Sequence, residues 1–314
     1  MSHALKKLRS LCAPGLLVAL TLVACGSNDD SGSDASSAGA GANSGGANDA
    51  GSDATGDAGE ESAGGAPSEP AAHVFSIKFD YRFDRAGFFD APERRAALEA
   101  AAAAWSAVLS NDFLRVPAGT QLTLTDPEDR DQEVDVESLA EDIDDLLVFV
   151  GTSEAIPGYG RGGPAGSAHS SDATLQKSFV NRQAGKRFQP WAGSISFKGS
   201  ADYFFDPTPE TSDDIPKEKY DFISLATHEL GHVLGFAASP AFIALEDGAT
   251  FTGKAAVAAY GDPVPLEADL GHLADGTESD GVEALMTPKL RNGIRQQPTA
   301  LDVAVLLDLG YTSK

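Results

Sequence analysis

The spacing of apolar residues changes period along the first forty positions of the hydrophobic part of the chain. Phe75, Ile77, Phe79 and Tyr81 alternate with Ser76, Lys78 and Asp80, the two-residue period of a half-buried strand. Leu98, Ala101, Ala102, Trp105, Val108 and Leu109 then recur at three- and four-residue spacing, which predicts a helix with one apolar face running to about Ser110. Asp90-Ala-Pro-Glu93 has capping-box spacing, with proline early in the first turn, and predicts where that helix starts. Leu122 and Leu124 suggest a second strand, and the unbroken run Leu146 to Val150 predicts an interior strand buried on both faces. The Gly/Ser-rich stretch Gly158 to Ser171, which carries His169, reads as a surface loop, with a mobile flap as the alternative. Ser194-Ile-Ser-Phe-Lys198 reads as a shorter strand. A second helical pattern follows, with Tyr220, Phe222, Ile223, Leu225 and Ala226 leading in and Leu230, Val233 and Leu234 continuing. Gly235 is placed to end it, because glycine adopts the left-handed conformation that turns a chain out of its last helical turn. Thr299-Ala-Leu-Asp302 repeats the capping-box spacing and opens a last helix ending at Gly310. The mixture predicts an α+β fold.

The N-terminal stretch has a different character. Lys6, Lys7 and Arg9 precede the apolar run Gly15 to Ala24, which is too short for a membrane span and has the form of a signal peptide over residues 1–24. Its end, Leu22-Val-Ala-Cys25, resembles the bacterial lipobox, which implies acylation of Cys25 and attachment to a membrane of the cell envelope. Gly26 stands where an aspartate is associated with inner-membrane retention, so the outer membrane is the expected location. From Gly26 to Ala72 there is no Leu, Ile, Val, Met, aromatic, Lys or Arg residue, so nothing there can form a core. Residues 25–72 therefore read as a lipidated cysteine followed by an acidic tether, with a random-coil reach on the order of 35 to 40 Å. Residues 73–314 are left as one domain.

Charge narrows the function classes. The chain carries 23 Lys plus Arg against 47 Asp plus Glu, a net charge of −24, and without the leader it falls to −27. Nucleic-acid binding is excluded on that balance, and basic substrates would be favoured electrostatically, with solubility the larger part of what the charge does. Calcium binding around Asp206, Asp213 and Asp214, or between Asp126 and Asp145, is conceivable, but no ordered ligand spacing supports it. The only cysteines are Cys12 and Cys25, so the mature chain has no internal disulfide and is expected to be a monomer held together by its core.

The chemistry concentrates in His228-Glu-Leu-Gly-His232. Two histidines four apart on a helix share a face and can direct a ring nitrogen at one metal ion, with Glu229 beside the open coordination position. Zinc in such a site lowers the pKa of a bound water, and a carboxylate can take its proton and pass it to a leaving amine. The structural alternative is a buried helix whose two histidines are satisfied by hydrogen bonds.

The string His228-Glu-Leu-Gly-His-Val-Leu-Gly-Phe236 resembles the metzincin clan of zinc peptidases, whose third ligand usually follows the glycine by three residues. Ala238 stands there in this chain. Zinc normally keeps three protein ligands in a catalytic site. His3 falls in the leader, His73 at the edge of the tether and His169 in the Gly/Ser stretch, which leaves His272. Met286, in Ala284-Leu-Met-Thr-Pro288, matches the clan's methionine turn, an apolar floor under the ligands. The long insertion before His272 and the Leu-Met-Thr-Pro turn resemble the leishmanolysin-type branch, as do Phe251-Thr-Gly253, Ala255 to Tyr260, Val264 to Glu267 and Asp308 to Tyr311. Leu273 replaces that branch's tryptophan, and its many cysteines are absent.

The resemblance implies a zincin-like domain. A small twisted mixed sheet and the site helix form an upper lobe, and an irregular lower lobe holds the methionine turn and the last helix. It also implies an edge strand that pairs with an extended peptide or protein substrate, and this expectation falls on Ser194, Ile195, Ser196 and Phe197 within Gly193 to Lys198, with Ala201 to Phe205 as the alternative. The segment Pro288 to Gln297 is expected to line the pocket for the residue after the scissile bond, with Arg291 or Arg295 favouring acidic side chains there. Tyr260 and Tyr311 are packing residues or oxyanion partners. Two rival readings remain: a gluzincin-like site completed by Glu246, Glu267 or Glu283, and a zinc-binding surface lipoprotein without hydrolytic activity.

Overall fold

The alternating segment at the start of the domain forms strand β1 (Ile77–Asp80), and the helical pattern after it forms α1 (Pro92–Val108). These positions come from a computed structural model that describes residues 73–185 and 187–314. The expected leader, the expected lipobox cysteine Cys25 and the expected tether lie outside the described residues. Among the described residues no helix is long and apolar enough to cross a membrane.

Helix α1 buries Ala97, Leu98, Ala101, Ala102 and Trp105, the face its periodicity marks. Its start differs from expectation. Asp90 belongs to a short 3-10 turn, Phe88–Asp90, and the helix begins from Ala91 with no side-chain cap. Asp84 serves that turn instead, its carboxylate accepting from the amides of Phe88 (3.1 Å) and Phe89 (2.7 Å). Proline at the first helical position needs no donor satisfied, so α1 can open without the box.

Strands β2 (Gln121–Thr125), β3 (Glu133–Val136), β4 (Leu146–Thr152), β5 (Gly160–Pro164) and β6 (Ser167–His169) follow. Helix α2 (Ala173–Gln183) and strand β7 (Ala192–Phe197) complete the sheet-bearing part. The main sheet has the order β1-β4-β7-β5, with β1, β4 and β7 parallel and β5 antiparallel to β7. The strand at Leu122 and Leu124 leaves this sheet and pairs with β3 and β6 in a separate antiparallel one.

Two expectations are corrected here. The stretch Gly158 to Ser171 is mostly strand, supplying β5 and β6. Ser194, Ile195, Ser196 and Phe197 lie in β7, which runs between β4 and β5 with all six of its residues buried, so the strand ahead of the site helix is interior and the edge is β5. The serines of β7, Ser194 and Ser196, are buried. Ser194 Oγ accepts from Arg130 Nη1 at 2.8 Å.

Helix α3 (Phe222–Val233) packs between the sheet and α1, and every one of its residues is buried. Phe222 meets Phe197 of β7 at 4.8 Å between ring centroids, and Trp105 of α1 donates its indole N–H to Thr227 O at 2.8 Å. Beyond α3 the chain is largely irregular, with two-residue strand pairs and the helices α4 (Pro240–Ile243), α5 (Lys254–Tyr260) and α6 (Ala300–Asp308). Small sheets and six helices among the described residues make a mixed α+β fold.

Candidate metal centre

Asp221 caps α3, accepting from Ser224 N (3.0 Å) and Ser224 Oγ (2.7 Å). Gly235, at φ 106°, ends it as expected, and Phe236 N donates back to Gly231 O at 3.1 Å. Between these stops the helix stacks His228 and His232 one turn apart, with their Nε2 atoms 3.2 Å from each other. Each Nδ1 meets a carbonyl oxygen: His228 meets Leu285 O at 2.8 Å, and His232 meets Phe236 O at 3.1 Å. A carbonyl only accepts, so the ring protons sit on Nδ1 and the Nε2 lone pairs point at one another.

His272 joins them. Its ring centroid lies 5.3 Å from that of His228 and 5.2 Å from that of His232, and one ligand atom from each of the three falls within 4.8 Å of the others. Burial, and then the neighbouring imidazoles, pull all three below the usual histidine range, His228 and His232 to about 3. They are therefore neutral at pH 7, the state in which imidazole binds a metal.

The nitrogens fit a metal ion. Two ligands held at zinc's usual 2.0–2.1 Å in a tetrahedron stand roughly 3.4 Å apart, close to the observed His228–His232 separation. Three imidazole nitrogens with no carboxylate or thiolate among them suit zinc or another late transition metal better than calcium or magnesium.

His272 is brought in by main-chain bonds. A turn through Leu270, at φ 58°, closes with Leu270 N on Glu267 O (2.9 Å) and Glu267 N on His272 O (3.0 Å). The next residue, Leu273, donates to Met286 O at 2.9 Å, which ties the histidine to the methionine turn. Met286 is fully buried beneath α3, so close that a Cβ on Gly231 would lie 2.4 Å from its sulfur. Asp302 holds that turn. It caps α6 together with Thr299, and its carboxylate also accepts from Leu285 N (2.9 Å) and Met286 N (3.0 Å). Leu285 O in turn fixes the His228 ring. The sequence shows Asp302 only as a capping residue; its second task depends on a fold-back that spacing cannot display.

Glu229 is also fully buried, and its Oε2 accepts from Gly162 N of β5 at 2.6 Å. Leu225, His228, Leu285, Thr287, Pro288, Lys289, Leu290 and Gln296 line a shallow recess whose free space is only about 10 Å³. Pro288, Lys289, Leu290 and Gln296 of the segment after Met286 are among its lining residues. Arg291 and Arg295, however, are both engaged elsewhere. Arg291 binds Glu283 and Asp275, while Arg295 lies between the buried carboxylates of Asp206 and Asp221 and donates to Pro209 O and Thr211 O. That pairing also removes Asp206 from any calcium site.

The cluster contains none of the rival glutamates: Glu283 is paired with Arg291, and Glu267 Oε1 accepts from Asp275 N. Tyr311 donates to Leu234 O at 2.8 Å in the core and so is a packing residue. Comparison with known protein families finds no match for this chain, and comparison with curated proteins finds no significant relative.

Proposed function

We propose that the chain is a zinc-dependent endopeptidase of metzincin type, with His228, His232 and His272 as ligands and Glu229 as general base and acid. The observation that carries this reading is the meeting of three buried imidazoles, two of them from one helical turn and the third from forty residues on, with the buried Glu229 next to His228 in the same helix. Zinc bound there would lower the pKa of a coordinated water and polarise the scissile carbonyl. Glu229 takes the proton of the attacking water and delivers it to the leaving amine. Leu285 O and Phe236 O keep the two helical imidazoles in the ligating tautomer. Met286 and Trp105 exclude solvent from below.

Replacing Glu229 with Ala separates this reading from a zinc-binding protein that does no hydrolysis. Casein should be cleaved by the wild type and not by the variant, with zinc content equal in both. Equal cleavage, or none by either, would refute the peptidase assignment. The lipobox supports anchoring to the bacterial envelope through Cys25. Labelled palmitate should enter the wild type and fail to enter Cys25→Ala.

A further inference from the structure

The outer edge of β5 is where the sheet meets the candidate base. Lys198 N donates to Tyr159 O (2.8 Å) and Ala165 N donates to Ala192 O (2.7 Å), with the register running from Gly160↔Phe197 to Pro164↔Gly193 between them. Main-chain groups alternate along an antiparallel pair, so Arg161 and Gly163 turn theirs to β7, and Gly160, Gly162 and Pro164 turn theirs away from it. The Gly162 N–H directed outwards in this way is the one that donates to Glu229 Oε2 at 2.6 Å. Only residues without side chains allow the approach. A Cβ on Gly160 would stand 2.4 Å from Glu229 Oε1, and one on Gly162 would stand 2.3 Å from Glu229 O. Glycine weakens a strand, so its use at both positions facing Glu229 calls for a reason beyond pairing.

We propose, building on the peptidase reading above, that the Gly162 amide is a positioning group for Glu229. The strand edge holds one carboxylate oxygen by a charge-assisted hydrogen bond, and this fixes the side chain's rotamer at the site where a proton must be taken and returned. Gly160 leaves the room in which the carboxylate sits. A base so anchored loses little orientational freedom before reaction, the term through which small misplacements cost rate.

The test combines amide exchange and kinetics on the zinc-loaded full chain. In Glu229→Ala the Gly162 amide should exchange at least about tenfold faster than in the wild type. Glu229→Gln, which keeps an acceptor, should retain the protection, and Arg161 and Gly163, bonded to β7, should not change. Gly160→Ala, whose methyl would meet the Glu229 side chain first, should lose about 10- to 100-fold in kcat with KM and zinc content near wild type. An unchanged Gly162 exchange rate in Glu229→Ala, or full kcat in Gly160→Ala, overturns the proposal. If Gly160→Ala does not fold, the exchange arm decides. Protection that depends on Glu229 in a protein that cleaves nothing would instead refute the peptidase reading, and the positioning role with it.

Discussion

Helix α3 and the chain from Val264 to Thr287 each bring groups of the candidate metal centre to the same point, but they do so in opposite ways. The helix carries His228, Glu229 and His232 within five residues, and their geometry follows from the pitch of one regular element capped at Asp221 and stopped at Gly235. The later segment has little regular structure. It delivers His272 and Met286 through a left-handed turn at Leu270, the Leu273–Met286 main-chain bond and the carboxylate of Asp302. The backbone spacing of the helical half should therefore persist whenever α3 is folded, although the His228 ring still leans on Leu285 O, whereas the other half depends wholly on long-range bonds that can fail one at a time.

Acid should break both halves together. The three imidazoles are held neutral in the fold, His228 and His232 with pKa about 3 against an ordinary 6.5. Between those values the unfolded chain binds more protons than the folded one, so stability falls as pH drops from 6.5 towards 3. Thermal melts of the metal-free protein should show Tm declining steadily from pH 7 to pH 4.5. A flat profile would mean that the rings are not buried neutral.

Arg295→Met should be the most damaging single change to the helical half, because it leaves Asp206 and the α3 cap Asp221 as buried, unpaired carboxylates. A loss of about 3–5 kcal/mol is expected in chemical denaturation. Asp302→Asn acts on the other half. The amide keeps an acceptor but weakens the bonds to Leu285 N and Met286 N, so about 1–3 kcal/mol of stability and roughly 10- to 100-fold in metal affinity should go, measured by denaturation and by competition with a chelator. Thr299→Ala removes the reciprocal cap of α6 and should cost only about 1 kcal/mol, with metal affinity close to wild type. A larger effect on metal binding from Thr299 than from Asp302 would reverse the order of support argued here.

What could be read from the sequence follows the same division. The helix-borne pair, its glycine stop, the α1 face and the α6 cap were legible because period and capping are local properties. The third histidine was reached by elimination among six, and the turn that presents it, with a non-glycine residue at positive φ, left no mark in the spacing. The edge of the sheet was misplaced for a definite reason. Gly160-Arg-Gly-Gly-Pro164 has the composition of a loop, because two of its glycines serve the approach of Glu229 and not strand propensity. The edge role fell on Ser194 to Phe197 from the family resemblance alone, and nothing local in that segment signals that β5 will pair outside it. The two arginines after the methionine turn looked available for substrate, because their buried or nearby carboxylate partners lie up to 89 residues away.

The most direct test is metal content, measured on purified wild type and His272→Ala after identical loading with zinc and dialysis. About one zinc per wild-type chain and a large loss in the variant are expected, with the helical content of the two unchanged. Equal zinc in both would contradict the claim that the distant imidazole completes the centre.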